Sequence, residues 1–180
     1  ADNKTKIHAS ASEPWKVTLV DTGNNTMTGG RLKRIQKYVG NEAFMMTYGD
    51  GLGNVNIDEL VKFHKKSKKY ATITSVQPTG RFGALDIKKD HTVRAFFEKP
   101  VGDRTWVNGG FFVLQPEIFT FIKDDLTTWE RDPLENLGKE SQLVAYKHSG
   151  FWKPMDTLRD KTDLENLWQS GNAPWKIWKE

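Results

Sequence analysis

Two aspartates that lie far apart in the sequence, Asp50 and Asp156, stand in contexts suited to binding a divalent cation. Asp50 follows the apolar run at residues 43–46 within Thr-Tyr-Gly-Asp-Gly, and Asp156 lies within Phe-Trp-Lys-Pro-Met-Asp-Thr. An apolar run that ends in Gly-Asp-Gly is typical of a strand leaving an open α/β sheet at its carboxyl edge, where such sheets bind ligands. Mg²⁺ often takes only one or two protein carboxylates. The pair therefore predicts a Mg²⁺ site if the fold brings both side chains together, although Gly-Asp-Gly also occurs in plain turns.

A second candidate is the segment Thr26 to Arg34, in which Gly29 and Gly30 precede a predicted helix. Glycines at a helix start can leave backbone N–H groups open to an anion. The planar guanidinium of Arg31 could donate two hydrogen bonds to a phosphate. The segment alone favours the alternative, a helix start loosened by glycine with solvent-exposed arginines.

Composition narrows the possible functions. The 180 residues suffice for one domain with a sizeable core, and the chain has no cysteine for a disulfide or thiolate site. No apolar stretch approaches the ~18 residues that span a bilayer. The net charge is +4, and the basic run at residues 62–69 is predicted to be a solvated helix face rather than a nucleic-acid site. We expect a cytoplasmic protein that binds neither nucleic acid nor a membrane, and whose mild positive charge suits phosphorylated small molecules.

Hydrophobic periodicity predicts alternating strands and helices in the first half of the chain. Asn56 is the predicted cap of the second helix, with Glu59 at capping-box spacing. The alternation predicts an α/β fold with a mainly parallel sheet. The predicted strands are 16–20, 43–48 and 70–76, and the predicted helices are 31–39 and 56–68.

The pattern changes after Pro78. Short strands at 82–87, 92–97 and 107–114 predict an antiparallel excursion with one strand returning to the sheet. The last of them contains Asn108-Gly-Gly, where missing side chains would let a flat ligand approach the backbone and Asn108 could hydrogen-bond a sugar hydroxyl. A helix is predicted at 116–123. A terminal helix at 157–168 is predicted to bury Leu158, Leu164, Leu167 and Trp168.

In this order and spacing the motifs resemble the sugar-1-phosphate nucleotidylyltransferases, most closely the glucose-1-phosphate cytidylyltransferases. The resemblance covers nearly the whole chain from Glu13. Gly-Asp-Gly and Glu-Lys-Pro are shared across the wider family, whereas Thr-Gly-Gly-Arg and Phe-Trp-Lys-Pro-Met-Asp-Thr-Leu-Arg-Asp point to the cytidylyl branch. The matching pieces include residues 13–23, 27–34, 47–51, 80–86, 98–100, 108–113, 127–130, 150–160 and 173–176.

The resemblance implies transfer of a cytidylyl group from CTP to glucose 1-phosphate, giving CDP-glucose and pyrophosphate, in nucleotide-sugar supply for deoxysugar and O-antigen polysaccharide. It implies that Asp50 and Asp156 hold Mg²⁺ and that Arg31 contributes to catalysis. The implied nucleotide-binding residues are Thr26, Arg31, Gly49 and Asp50. The implied sugar-phosphate residues are Gly83, Glu98, Lys99, Asn108 and Arg159, of which Arg159 is the weakest candidate.

The implied fold is a Rossmann-like, mainly parallel mixed sheet with a small antiparallel excursion and a C-terminal helical cap. We expect residues 1–126 to form a partial nucleotidyltransferase α/β domain. Residues 127–180 are expected to be a Trp-rich segment that completes the site and contributes to a homo-oligomer contact. The family's first strand and its Gly-Gly-x-Gly-Thr-Arg phosphate loop are absent from the sequence, so we expect a piece of a longer enzyme that is inactive and associates when alone.

Two alternatives stay open at this point. The chain could be a non-catalytic sugar- or nucleotide-binding remnant, or a related nucleotidylyltransferase that uses another nucleoside triphosphate. An upstream Gly-Gly-x-Gly-Thr-Arg segment would favour the enzyme. The residues that surround the base are expected to lie mostly outside this sequence, so the base rests on the resemblance.

Overall fold

The computed structural model describes residues 15–78, 84–97 and 105–178. Its helices are α1 (Thr28–Arg34), α2 (Gln36–Val39), α3 (Ile57–Ser67), α4 (Asp132–Lys139) and α5 (Leu158–Gln169), with a 3₁₀ helix at Pro116–Phe121. Its strands are β1 (Phe44–Thr47), β2 (Gly51–Gly53), β3 (Ala71–Val76), β4 (Ala84–Ile87), β5 (Val93–Phe97), β6 (Val107–Leu114), β7 (Leu143–Lys147) and β8 (Trp152–Pro154). No helix among these residues is long and apolar enough to cross a membrane.

The main sheet has four strands in the order β1-β6-β3-β7. Strand β6 runs antiparallel to both β1 and β3, while β3 and β7 are parallel. Strands β1, β3 and β7 thus point the same way and β6 returns between β1 and β3, which confirms the predicted α/β fold with a mixed sheet. Of the three pairings in this sheet only β3–β7 is parallel, because β6 separates β1 from β3. Strands β4 and β5 form a separate antiparallel pair, as the predicted excursion required.

Strand β6 divides the core into two layers because its side chains alternate across the sheet. Phe112 and Leu114 are buried in the larger cluster, together with Trp129. Val113 faces the other way and packs with Leu60 of α3. Each fully buried side chain of this size contributes about 1.5–3 kcal/mol relative to an exposed one. Trp129 packs in the larger cluster and β7 pairs in the main sheet. The segment 127–180 is therefore packed against the rest of the fold.

Helix α3 confirms its predicted start and its solvated basic face. The Asn56 side chain accepts a hydrogen bond from the Glu59 backbone N–H at 3.0 Å, so Asn56 is the N-cap. The Glu59 side chain pairs with Lys62 instead of closing a capping box. The helix buries Leu60 and His64, while most of the basic run is exposed.

The predicted strand at residues 16–20 is wrong. Residues 15–20 have no regular secondary structure, and Leu19 is 94% exposed. A strand is stable only when its backbone groups pair with a neighbour, and the described residues pair none with this segment. Helix α1 also begins at Thr28 rather than Arg31.

The C-terminal helix α5 is present, and the side chains of Thr157 and Asp160 form a full capping box at its start. Its predicted buried face is only partly right. Leu164 is buried, but Leu158 is 77% and Trp168 49% exposed, and Trp168 lines an open cleft together with Leu52. Four elements had not been predicted, namely β2, α4, β7 and β8.

Candidate active site

The two aspartates are brought to the same end of a short antiparallel ladder. Asp50 directly precedes β2, and Asp156 lies two residues past the end of β8. Gly51 pairs with Pro154, and the Met155 backbone N–H donates to the Asp50 carbonyl oxygen at 2.7 Å. Both aspartates are exposed to solvent. The fold therefore brings the backbones of the two aspartates to one end of the ladder, and the metal site itself stays a prediction.

Gly49 lies next to open space. A Cβ built at this position would meet nothing within 4 Å, so packing within the described residues does not require glycine here. A side chain would instead narrow the solvent-facing space beside Asp50, which is the space that a ligand would need.

Gly29 and Gly30 have a packing role at the start of α1, where the sequence alone had favoured a helix start loosened by glycine over an anion loop. A Cβ at Gly29 would lie 2.7 Å from the Thr127 carbonyl oxygen, and one at Gly30 would lie 2.5 Å from that of Asp125. The Gly30 N–H donates to the Thr127 carbonyl at 3.2 Å. These glycines let the first turn of α1 lie directly against the loop at residues 124–129, and the Gly30 N–H is engaged by that loop rather than open to an anion.

Arg31 projects from the exposed side of α1. Its Nη1 donates to Thr22 Oγ1 at 2.6 Å, and its Nη2 donates to the Asn24 carbonyl at 3.4 Å. The loop before α1 therefore orients a guanidinium that still faces solvent. Thr26 is only 6% exposed, so its side chain offers little surface to a nucleotide.

Glu130, to which the sequence analysis gave no role, joins the two parts of the site. Its Oε1 accepts from Tyr48 OH at 2.5 Å, and its Oε2 accepts from Thr28 Oγ1 at 2.7 Å. The Trp129 N–H donates to the same Thr28 hydroxyl at 2.9 Å. Burial and the hydrogen bond to Glu130 raise the pKa of Tyr48, so this phenol stays protonated and donates. In the sequence Glu130 stands only as the last residue of the matching piece at 127–130, where no role was attached to it, because an acidic residue beside a tryptophan is too common to single out.

The Asn-Gly-Gly segment of β6 is packed rather than open. Gly110 has a φ of +80°, and a Cβ there would lie 3.0 Å from the Tyr48 ring. The Trp152 indole N–H donates to the Gly109 carbonyl at 2.8 Å. Protein side chains thus occupy the faces of these glycines, which corrects the expectation that a flat ligand approaches them.

Asn108 is half-buried and its amide is already engaged. Its Oδ1 accepts from the Gly110 N–H at 2.8 Å, and its Nδ2 donates to Tyr48 OH at 3.3 Å. Contact with a sugar hydroxyl would have to use the second amide hydrogen or the second oxygen lone pair.

The remaining predicted residues are less constrained. Arg159 lies exposed in the first turn of α5, three residues past Asp156. Gly83, Glu98 and Lys99 lie outside the described residues. Within the described ranges, no group of three or more His, Cys, Asp or Glu side chains could hold a metal ion, so a cation at Asp50 and Asp156 would need ligands from substrate or water.

Comparison with known proteins identifies the family of this chain. Residues 10–157 match the nucleotidyl transferase family, and the chain therefore belongs to that family. It is 54% identical over 180 residues to the glucose-1-phosphate cytidylyltransferase of Salmonella typhimurium, covering 99% of this chain and 70% of that enzyme. It is also 40% identical over 167 residues to a probable glucose-1-phosphate cytidylyltransferase of Bacillus subtilis, covering 92% of this chain and 65% of that protein. The resemblance to the glucose-1-phosphate cytidylyltransferases is thus confirmed.

Solved structures share the fold at lower identity. HddC from Yersinia pseudotuberculosis, also solved in complex with GMP-PN, is 21% identical, with a TM-score of 0.58 over 81% of this chain and 64% of that one. UDP-glucose pyrophosphorylase complexed with UDP-glucose is 15% identical, with a TM-score of 0.61 over 84% of this chain and 65% of that one. The chain spans about two thirds of these structures, and at such identities they establish the fold alone.

Proposed function

We propose that this chain is part of an enzyme that transfers the cytidylyl group of CTP to glucose 1-phosphate, giving CDP-glucose and pyrophosphate. The observation that carries the proposal is the 54% identity to the Salmonella typhimurium glucose-1-phosphate cytidylyltransferase over almost the whole chain. The position of Asp50 and Asp156 at one end of the β2–β8 ladder supports it independently.

The reaction needs no nucleophile from the protein. A phosphate oxygen of glucose 1-phosphate forms a bond to the α-phosphorus of CTP, and the bond to the bridging oxygen breaks so that pyrophosphate leaves with its electron pair. The protein has to hold the two substrates in line and offset the negative charge of the phosphates. Cationic side chains and a bound cation are the means by which proteins do this.

Asp50 and Asp156 are the proposed Mg²⁺ ligands. They are oxygen donors, which Mg²⁺ prefers, and two carboxylates suffice when substrate phosphates and water complete the octahedron. When bound, Mg²⁺ neutralises phosphate charge and orients the phosphate oxygens. The open space beside Gly49 would leave room for the nucleotide at the same strand end.

Arg31 of α1 is the proposed nucleotide contact. Its guanidinium faces solvent and is held from behind by Thr22, so it can present its remaining N–H groups to a phosphate or base edge. For the sugar phosphate we propose Glu98 and Lys99 as the main contacts, and Asn108 and Arg159 as further contacts. Glu98 would accept from glucose hydroxyls, and Lys99 would neutralise the phosphate.

The test is pyrophosphate release by the full-length protein that contains this chain, with glucose 1-phosphate and each of CTP, UTP, dTTP and GTP. We expect Mg²⁺-dependent turnover with kcat/KM for CTP at least about tenfold above the others, since one good discriminating contact changes the barrier by about 1.4 kcal/mol. Equal or better use of another nucleotide would show that the protein is a related nucleotidylyltransferase with a different base specificity. Binding of CTP without turnover would identify the non-catalytic alternative.

A further inference from the structure

The carboxylate of Glu130 connects two segments that each carry a proposed site residue. Tyr48, which donates to Oε1 at 2.5 Å, is followed directly by Gly49 and Asp50. Thr28, which donates to Oε2 at 2.7 Å, begins α1 and lies three residues before Arg31 on that helix. One side chain thereby spans the strand end that leads to the metal site and the helix that carries the proposed nucleotide contact.

A glutamate suits this place. In the observed arrangement each hydroxyl donates to a different carboxylate oxygen, and a glutamine, which has one oxygen and one NH₂ group, would have to reverse or rearrange one of the two hydrogen bonds. An aspartate is one methylene shorter and cannot reach both hydroxyls with the backbone unchanged. Bonds to an ionised acceptor are also shorter and about twice as strong as bonds between neutral groups.

The hydrogen bonds form a chain that extends further across the site. Asn108 donates to Tyr48 OH at 3.3 Å, and Tyr48 in turn donates to Glu130. At the other end Thr28 accepts from the Trp129 N–H at 2.9 Å, which anchors the loop that carries Glu130 to the helix start. A displacement at Glu130 is therefore transmitted to β6, to β1 and to α1 together.

We infer that Glu130 is a positioning residue, which sets the spacing between Asp50 and Arg31 by receiving the hydroxyls of Tyr48 and Thr28. This inference rests on the proposed function. It differs from a purely structural role because Glu130 is exposed and contributes little apolar burial. Its loss should misplace site residues while leaving the core intact, and a misplacement of about 1 Å at such a site can lower the rate by about 100-fold.

The test compares variants of the full-length protein by steady-state kinetics and thermal unfolding. Glu130→Gln should lower kcat by about 100-fold with KM values for CTP and glucose 1-phosphate changed far less, and with Tm close to wild type. Thr28→Val, which removes the hydroxyl, should lower kcat in the same direction, and Thr28→Ser, which keeps it, should restore wild-type kcat. Glu117→Gln, at an exposed glutamate of the 3₁₀ helix, serves as the matched charge control and should change nothing.

The double variant Glu130→Gln/Thr28→Val distinguishes positioning from general damage. Because both changes break the same hydrogen bond, the double variant should be no slower than the slower single variant, rather than showing the product of the two losses. If wild type turns over but Glu130→Gln keeps kcat within about twofold, this inference alone is wrong. A fall in Tm without a fall in kcat, or a changed Mg²⁺ requirement, would also overturn it. A wild-type protein that binds CTP yet forms no product would overturn the proposed function and this inference together.

Discussion

The backbone of Gly30 lies against that of Asp125 so closely that a Cβ at Gly30 would come within 2.5 Å of the Asp125 carbonyl oxygen. The same loop holds the start of α1 through the hydrogen bond from the Met27 N–H to the Asp125 carbonyl at 2.8 Å. Helix α1 and residues 124–129 can stay in contact only if position 30 has no side chain.

Gly30→Ala should therefore destabilise the protein, although alanine is the better helix former. Overpacking against backbone atoms costs about 1–3 kcal/mol, and chemical denaturation would measure the loss. Gly138→Ala is the matched control, because it lies in α4 and a Cβ there meets nothing within 4 Å. That change should be neutral or stabilising by up to ~1 kcal/mol. Equal effects of the two substitutions would show that the close approach at Gly30 is not what stabilises α1.

Asp50→Asn and Asp156→Asn should each abolish Mg²⁺-dependent turnover of the full-length enzyme. Each change removes a charged oxygen ligand while keeping the shape of the side chain, so Tm should stay near wild type. Pyrophosphate release across a Mg²⁺ titration is the measurement, with Glu42→Gln at an exposed carboxylate as the control. Activity within a few-fold of wild type for either variant removes that aspartate from the mechanism.

Glu98→Gln should weaken the use of glucose 1-phosphate more than that of CTP. Losing a charged acceptor to a hydroxyl costs about 1.5–3 kcal/mol, which corresponds to a rise of about 10- to 150-fold in KM if binding is at equilibrium. Initial rates with each substrate varied in turn would separate the two KM values. A shift confined to CTP would show that Glu98 does not contact the sugar.

His64 predicts a specific loss of stability at mildly acidic pH. The side chain is 1% exposed, with Nδ1 2.8 Å from Thr72 Oγ1 and Nε2 2.9 Å from Gln115 Nε2. The amide nitrogen of Gln115 can only donate, so Nε2 accepts and the ring is neutral with its proton on Nδ1. Burial lowers the pKa of His64 below its ordinary value of 6.5.

The sign of the pH effect follows from this lowered pKa. The unfolded chain takes up a proton near pH 6.5 while the folded chain does not, so the free energy of unfolding should fall as pH drops below 6.5. Urea unfolding between pH 8 and pH 5 would measure the slope, which His64→Gln should flatten. His91→Asn is the control, because His91 is exposed at a φ of +66° that asparagine tolerates, and it should leave the slope unchanged. Parallel slopes for wild type and His64→Gln would contradict the prediction.

Local patterns in the sequence predicted those parts of the fold that depend on neighbouring residues. The cap at Asn56, the β-branched strand β3 and the excursion at β4 and β5 belong to this group. The segment at residues 16–20 has the same local signal, yet it forms no strand, since pairing depends on a neighbour that local pattern cannot supply. Likewise, α5 was identified correctly, but which of its apolar residues are buried depends on the neighbouring elements, which local pattern does not specify.

The site divides in the same way. The motifs single out Asp50 and Asp156 as candidates, but the approach of their backbones depends on the β2–β8 ladder, which only three residues on each strand define. Glu130 could not be identified, because its role comes from hydroxyl groups more than 80 residues away in sequence. The Gly-Gly pairs at 29–30 and 109–110 are explained by close approach of backbone atoms and side chains, which depends on segments distant in sequence and which local pattern could not show.

The short β2–β8 ladder gives the site a local stability of its own. It is a two-stranded sheet with only three residues on each strand, so few backbone hydrogen bonds hold it together. Such a unit opens at a lower free energy than the whole protein. Amide exchange at Met155 should therefore be faster than at Val113 of the buried β6 strand, and Mg²⁺ together with nucleotide should slow it selectively. The enzyme would then complete its fold at the active site only when its substrates bind.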